Sequence, residues 1–465
     1  MQITSKFFAA TLLLASFGST AALSAEPSSA DASRVKRGEY LAVAADCGAC
    51  HRQTTEDGAP FAGGYAIDSP MGRIIASNIT PSKQYGIGQY TEQQFADALR
   101  KGVAADGSNL YPAMPYTAYQ GMTDDDIHAL YSYFMLAVKP ADFAPDEHTR
   151  LSFPFNIRQI MWGWNLLYRN DQPFEKKPDL SEQLNRGKYL VDVLAHCSTC
   201  HTPRNMMMAE DSSQYLAGSP LGGWYAPNIT PDNSGIGDWS QDDIVSYLKT
   251  GHLAGKAQAA GPMGEAVEHS FRYLDDKDLH AIAAWIKQVP AIATPVAKPS
   301  AQPAEKVDIN QVVKGQGDQA SLADSRSTDG AELYNGACAS CHGREGQGTA
   351  DNFYPSLTHN SAVSGPTAQN LVMTIVEGIH RKGSDSDVGM PAFDQQLNDA
   401  QIAAVTHYVR HQFGNINEDI SADQVKTLRN GGEAPFIVRY VDYLIAAGVF
   451  IALLLLLLIV RLRKK

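Results

Sequence analysis

Cys197-Ser198-Thr199-Cys200-His201 is the stretch on which the reading of this chain turns. Two thiols three positions apart can each add across a vinyl group of one haem, and the adjacent histidine then meets the iron. The same pattern recurs as Cys47, Cys50 and His51 and as Cys338, Cys341 and His342, and these three motifs use all six cysteines of the chain. A zinc site needs paired Cys-x-x-Cys units or cysteine and histidine at other set distances, and a disulfide framework leaves cysteines at irregular spacings. A thioredoxin-like pair does not account for three copies that each end in histidine. The chain therefore reads as a carrier of three covalently bound haem c groups, with His51, His201 and His342 as iron ligands.

The two ends carry targeting signals. Lys6 precedes an apolar run from Phe7 to about Leu23, with small residues at Ala22 to Ala25. That is the layout of a signal peptide over residues 1–25, after which the mature chain begins near Glu26. Tyr443 to Val460 is apolar throughout and holds six consecutive leucines, Leu453 to Leu458. Its length corresponds to about 27 Å of helix, enough for a hydrocarbon core, so residues 441–460 are expected to span a membrane. The basic tail 461–465, with Arg461, Arg463, Lys464 and Lys465, puts that end in the cytoplasm and the rest outside. Fifty acidic residues against 38 basic ones argue against nucleic acid as a partner.

Between the ends, one unit is written twice. Arg37, Gly38 and Tyr40 return as Arg186, Gly187 and Tyr189; Asn78-Ile79-Thr80-Pro81 returns as Asn228-Ile229-Thr230-Pro231; Gly86-Ile87-Gly88 returns as Gly235-Ile236-Gly237. Thr91 with Gln94 and Ser240 with Asp243 have capping-box spacing, and Gly102 and Gly251 end the helices that follow. A last helix is predicted from near Thr123 in the first copy and near Asp275 in the second. The third copy is shorter, with helices predicted over 371–377 and about 398–413. Strand-like alternation is scarce, so the fold class is mainly α with long loops. The expected division is a first haem domain at 26–140, an aromatic-rich linker at 141–180, a second domain at 181–290, a Pro/Ala-rich linker at 291–325, a third domain at 326–415 and a juxtamembrane tether at 416–440. The linker from Phe153 to Tyr168 carries too much aromatic area to stand free in water. It is expected to pack between the first two domains, or against a partner subunit or the membrane surface.

A haem with one histidine has an open iron face, and closing that face separates an electron carrier from a catalyst. Met114 in Tyr-Pro-Ala-Met-Pro, Met263 in Gly-Pro-Met-Gly and Met390 in Gly-Met-Pro are the candidates for the sixth ligand. All three are expected in loops, where proline holds the backbone out of a helix. Met206, Met207 and Met208 compete at the second haem but follow His201 too closely to cross to its opposite face. His252, His269, His359 and His380 are weaker competitors. No Ser-His-Asp set, phosphate-cradling loop or carboxylate pair stands beside these groups, so no substrate chemistry belongs to this chain itself.

The ordered set of haem motif, Asn-Ile-Thr-Pro, Gly-Ile-Gly and Met-Pro, repeated and followed by a third haem domain, resembles the triheme cytochrome c subunit of membrane-bound periplasmic dehydrogenases acting on alcohols, gluconate, sorbitol or aldehydes. The resemblance implies three class I cytochrome c-like domains in tandem plus the C-terminal transmembrane helix. It implies a subunit in the bacterial cytoplasmic membrane that takes electrons from a catalytic subunit holding a quinone (PQQ), flavin (FAD) or molybdenum (molybdopterin) cofactor and passes them to ubiquinone. A small third subunit is a further partner that the resemblance allows. Some relatives lack a spanning helix, so the C-terminal span leans toward the flavin-dependent or aldehyde branches. A cytochrome subunit of a terminal oxidase is the alternative, suggested by the anchor and by the Gly-rich stretch after His342; a haem peroxidase, which needs an open iron, is a third.

Overall fold

The structure, a computed structural model, describes residues 29–55, 57–300, 327–382 and 387–464. The expected signal peptide and residues 301–325 of the Pro/Ala-rich linker lie outside the described residues.

The first unit runs α1 (Ser29–Ala44), α2 (Cys47–Cys50), a hairpin of β1 (Ala66–Ser69) and β2 (Gly72–Ile75), α3 (Glu92–Lys101), α4 (Tyr116–Tyr119) and α5 (Asp124–Leu136). Helix α1 crosses α5 at Gly38, where a side chain would overlap the backbone of Ala129 and Cβ of Tyr133. Glycine is needed there because the two backbones touch. Thr91 caps α3 in a full capping box with Gln94, and Gly102 closes it at φ 62°. The spacing had predicted both ends.

The connection adds β3 (Arg150–Leu151) to the hairpin, with Leu151 opposite Gly72, and then forms α6 (Ile160–Tyr168). The second unit repeats the plan with α7 (Glu182–Tyr189), α8 (Ser198–His201), β4 (Ser219–Leu221), β5 (Trp224–Ala226), α9 (Gln241–Thr250), β6 (His252–Leu253), β7 (Ala257–Gln258), α10 (Gly261–His269) and α11 (Asp276–Ile286). Gly187 lies against the backbone of Ala281 as Gly38 lies against Ala129. The second copy has one residue more between its glycine and its first cysteine than the first copy has. Leu190–Leu194 absorbs it as a turn of π-helix, which takes one extra residue without breaking the helix.

The third unit holds α12 (Gly330–Ala337), α13 (Ala339–His342), α14 (Ser361–Ser364), α15 (Gln369–Glu377), β8 (Ile379–Arg381), β9 (Val388–Met390) and α16 (Asp399–Gly414), the last capped by Asn398 with Gln401. Gly330 meets the backbone of Ala404, so the glycine crossing occurs three times. Arg410 is wholly buried beneath α14 and donates from Nη1 to the carbonyls of Val363, Gly365 and Thr367.

Two cores result. One is continuous through the first two units, and the other belongs to the third. A pair of related clasps joins the first two: Asp126 accepts from Arg37 and from the Tyr189 hydroxyl of the other unit, and Asp278 accepts from Arg186 and from the Tyr40 hydroxyl. The tyrosine bond that crosses between the units in each clasp is a hydrogen bond to a charged group, of about 1.5–3 kcal/mol. The repeated arginine and tyrosine of the sequence are thus the two ends of one interface device used in both directions. The third unit docks on the second through Trp224 Nε1 to Glu377 (3.3 Å), the amide of Asn370 paired with the backbone of Tyr225, and Arg381 donating to Ala259 O.

Beyond Asn415 the expected tether is partly structured. Helix α17 (Ala422–Arg429) seats Val425 and Leu428 in the third core, because these two apolar residues at helical spacing reach α16. Next come α18 (Phe436–Arg439) and α19 (Val441–Arg463), a 23-residue apolar helix with no buried residue. It is long enough to cross a membrane and fits a membrane anchor.

Candidate haem sites

Each attachment motif sits on a single helical turn, α2, α8 or α13, which sets the two cysteines on one side and the histidine beside them. None of the six cysteines is in a disulfide. Burial, reinforced by nearby carboxylates such as Asp46, pushes Cys47 and Cys50 up to about 12; burial does the same to Cys197 and Cys338, and brings Cys200 to about 11. Neutral thiols in dry surroundings suit neither a zinc thiolate nor a redox thiolate. Among the described residues there is also no cluster of three or more His, Cys, Asp or Glu arranged to hold a metal ion.

The histidines share one arrangement. Nδ1 of His51 lies 2.7 Å from Ser77 O, Nδ1 of His201 lies 2.7 Å from Pro227 O, and Nδ1 of His342 lies 3.0 Å from Pro355 O. A carbonyl partner fixes the proton on Nδ1 and leaves Nε2 as the lone-pair nitrogen, the form a metal needs. Burial lowers all three histidines, so they are neutral near pH 7. This donor set fits haem c: two thiols and one oriented, neutral imidazole per motif.

The carbonyls explain the second sequence echo. Ser77 and Pro227 stand immediately before Asn78 and Asn228, whose side chains accept from the backbone N–H of Thr80 (2.9 Å) and Thr230 (2.8 Å). Asn78 also donates to Ala141 O and Phe143 O, and Asn228 to Ile292 O, tying each loop to the segment that leaves the unit's last helix. Ile87 N bonds Thr80 O and Ile236 N bonds Thr230 O, so the Gly-Ile-Gly loops close over the same turns. In the third unit Ser356, which accepts from Thr358 N at 3.1 Å, takes the place of the asparagine. These histidine-orienting backbone groups were not picked out from the sequence, although the repeated Asn-Ile-Thr-Pro was the signal for two of them.

Two of the three methionines differ from expectation in their settings. Met114 lies in a loop before α4, its N–H bonded to Tyr111 O. Met263 is in the first turn of α10, not in a loop: Pro262 occupies the first turn, where proline's missing N–H costs nothing, and so starts a helix. Met390 is the last residue of strand β9, opposite Ile379. Of the competitors, Met206 and Met207 are exposed, and His252 is bonded to Gln258.

The sites are neighbours. Cys200 of the second unit contributes to the shift of Cys50 in the first. Around this junction Arg52 pairs with Glu265 of α10 at 3.0 Å, and the Tyr65 hydroxyl donates to the same carboxylate. Helix α10 packs on α2 on one side and on β8 of the third unit on the other, so the Met263 helix touches the Met390 hairpin.

Three helical units, each with a Cys-x-x-Cys-His turn and an imidazole oriented by a carbonyl, define a c-type cytochrome of three domains. The cytochrome c family profile matches residues 35–136, 184–290 and 327–413, and the chain belongs to that family, among the cytochrome subunits of membrane dehydrogenases. It is 46% identical over 433 residues to the fructose dehydrogenase cytochrome subunit of Gluconobacter japonicus, covering 91% of this chain and 88% of that one. The alcohol dehydrogenase (quinone) cytochrome c subunit of Gluconacetobacter polyoxogenes is 36% identical over 421 residues (88% and 86%). The gluconate 2-dehydrogenase cytochrome c subunit of Pantoea cypripedii is 37% identical over 412 residues (85% and 89%). Three haem c groups follow, one for each domain.

Proposed function

We propose that this chain is the electron-transfer subunit of a periplasmic dehydrogenase complex, taking electrons from a catalytic subunit with a quinone, flavin or molybdenum cofactor and delivering them to ubiquinone. The observation that carries the reading is the packing of the Met263 helix α10 against α2, which carries Cys50, and against β8 of the Met390 hairpin. Haem c supplies a one-electron iron couple in each domain. The chain's own residues hold it through Cys47 and Cys50, Cys197 and Cys200, and Cys338 and Cys341. His51 with Met114, His201 with Met263, and His342 with Met390 would hold the three irons, in domains of class I cytochrome type with the limits given above. Such a histidine and methionine pair would leave the iron no position open to substrate and would favour a raised potential. Export of the haem domains to the periplasm, α19 through the inner membrane and the basic tail in the cytoplasm complete the reading.

Purification of the membrane complex tests it. A dehydrogenase should co-elute as the large subunit and reduce all three haems on addition of its substrate; co-elution with a copper and haem oxidase subunit would overturn the assignment. Met263→Ala should abolish the sulfur-to-iron charge-transfer band of one haem and lower its potential. An intact band would move that ligand elsewhere.

A further inference from the structure

Helix α6 is apolar on two faces, and only one of them has a partner. Its inner face, Met161, Trp164 and Tyr168, packs with Tyr116 and the loop of Met114, and Trp164 Nε1 donates to Met207 O at 2.9 Å. Trp164 is 8% exposed. Its outer face presents Trp162 at 69%, Leu166 at 72% and Leu167 at 68% exposure, with Ile160 and Phe153 continuing the surface. A helix that is apolar all round belongs in a buried setting, and exposed apolar surface of this kind marks a contact site.

The flanking charge selects the partner. From Arg150 to Arg169 the chain has three arginines and no carboxylate, although its net charge is −12. Arg158, anchored on Asn109 O and stacked over Tyr111, stands just before the helix, and Arg169, paired with Asp171, just after it. Tryptophan and leucine on one face with arginines at the ends is the composition of a helix that lies in the plane of a bilayer, its apolar side among the acyl chains and its cations among anionic headgroups. A bilayer is within reach of this protein through α19.

We propose that the outer face of α6 lies on the surface of an anionic phospholipid bilayer and forms a second membrane contact, separate from the spanning helix. The proposal rests on the anchor reading of α19. With one attachment the three domains can pivot about residues 430–440; with two they are held in one orientation. Because Trp164 and Met114 share one cluster, that orientation sets the Met114 side of the first domain against the bilayer.

Thioether attachment occupies all six natural cysteines, so a single introduced cysteine is the one reactive thiol in the holo-cytochrome. Full-length L166C, F450C and F353C proteins, purified without other subunits and placed in nanodiscs of phosphatidylglycerol and phosphatidylethanolamine, are treated with a membrane-impermeant maleimide. Phe450 lies in α19, and Phe353 is an exposed reference in the third domain. The expected result is that L166C and F450C each react at least about ten-fold more slowly than F353C. Protection of F450C with full reactivity of L166C overturns the α6 contact and leaves the anchor standing. Reactivity at both positions removes the anchor and the inference together. Protection of L166C that appears only after the dehydrogenase subunit is added also overturns the proposal, assigning the face to a protein partner.

Discussion

At Gly38, Gly187 and Gly330 one missing methyl group sets the distance between the paired helices of each domain, because the facing residue presents backbone rather than a side chain that could turn away. Gly187→Ala should therefore cost about 1–3 kcal/mol or more, the range for overpacking a site that cannot relax. The check is the urea midpoint of the holo-protein, which should fall while haem content per folded chain is unchanged. Arg410 carries the opposite risk, since its burial lowers its affinity for a proton and three carbonyls depend on it. Replacing it with Met should destabilise the third domain by at least about 1–3 kcal/mol, the cost of leaving buried acceptors unpaired. Loss of the third haem's axial spectrum before the other two on heating would report that selectively. Gly187 was legible only as a member of the internal repeat, and Arg410, an arginine in a helix, looked ordinary. Their roles depend on what lies opposite.

Elements show how far local rules reach. Helices α3, α9 and α16 begin at the capping boxes written in the chain, because a cap is a local hydrogen-bond exchange that needs no tertiary partner. The Met263 segment misled, since Gly-Pro reads equally as a loop and as a helix start, and only packing against α2 and β8 decides. The π-turn at Leu190–Leu194 was legible only as a one-residue difference between the copies. The clasps between the first two domains were legible as conserved spacing within the chain but not as contacts. Burial alone would raise Asp278, yet hydrogen bonds and charge from Arg186, with help from Tyr40, outweigh it and hold the carboxyl below its usual range. A carboxyl lowered on folding stabilises the protein above its unfolded value, near 3.9, and loses that contribution as pH falls toward its folded value. Asp278→Asn should lower the melting temperature at pH 7 and shrink the difference in melting temperature between pH 7 and pH 3. An unchanged difference would show that the clasp does not couple to acid.

In the whole molecule, the order of domains along the chain is also their order of contact, with the second in the middle and sharing its core with the first. The anchor follows the third. Because α17 fills the third core with Val425 and Leu428, truncation has to fall after it, and a chain ending at Arg439 keeps every packed element described for that domain. This truncated protein should leave the membrane in salt or mild detergent as a folded chain with three haems, since α19 contributes nothing to any core. Reduction by the dehydrogenase should persist, because the haem domains carry the partner surface in the proposed arrangement. Quinone reduction in vesicles should fall, since α6 alone buries only one helix face in lipid and a single weak contact gives reversible attachment. What remains should depend on anionic lipid and decline with salt, because arginines flank that face. If the truncated chain instead reduces quinone in neutral vesicles at the full-length rate, the spanning helix serves localisation alone, and the electron exit has to lie on a surface that meets quinone without either membrane contact.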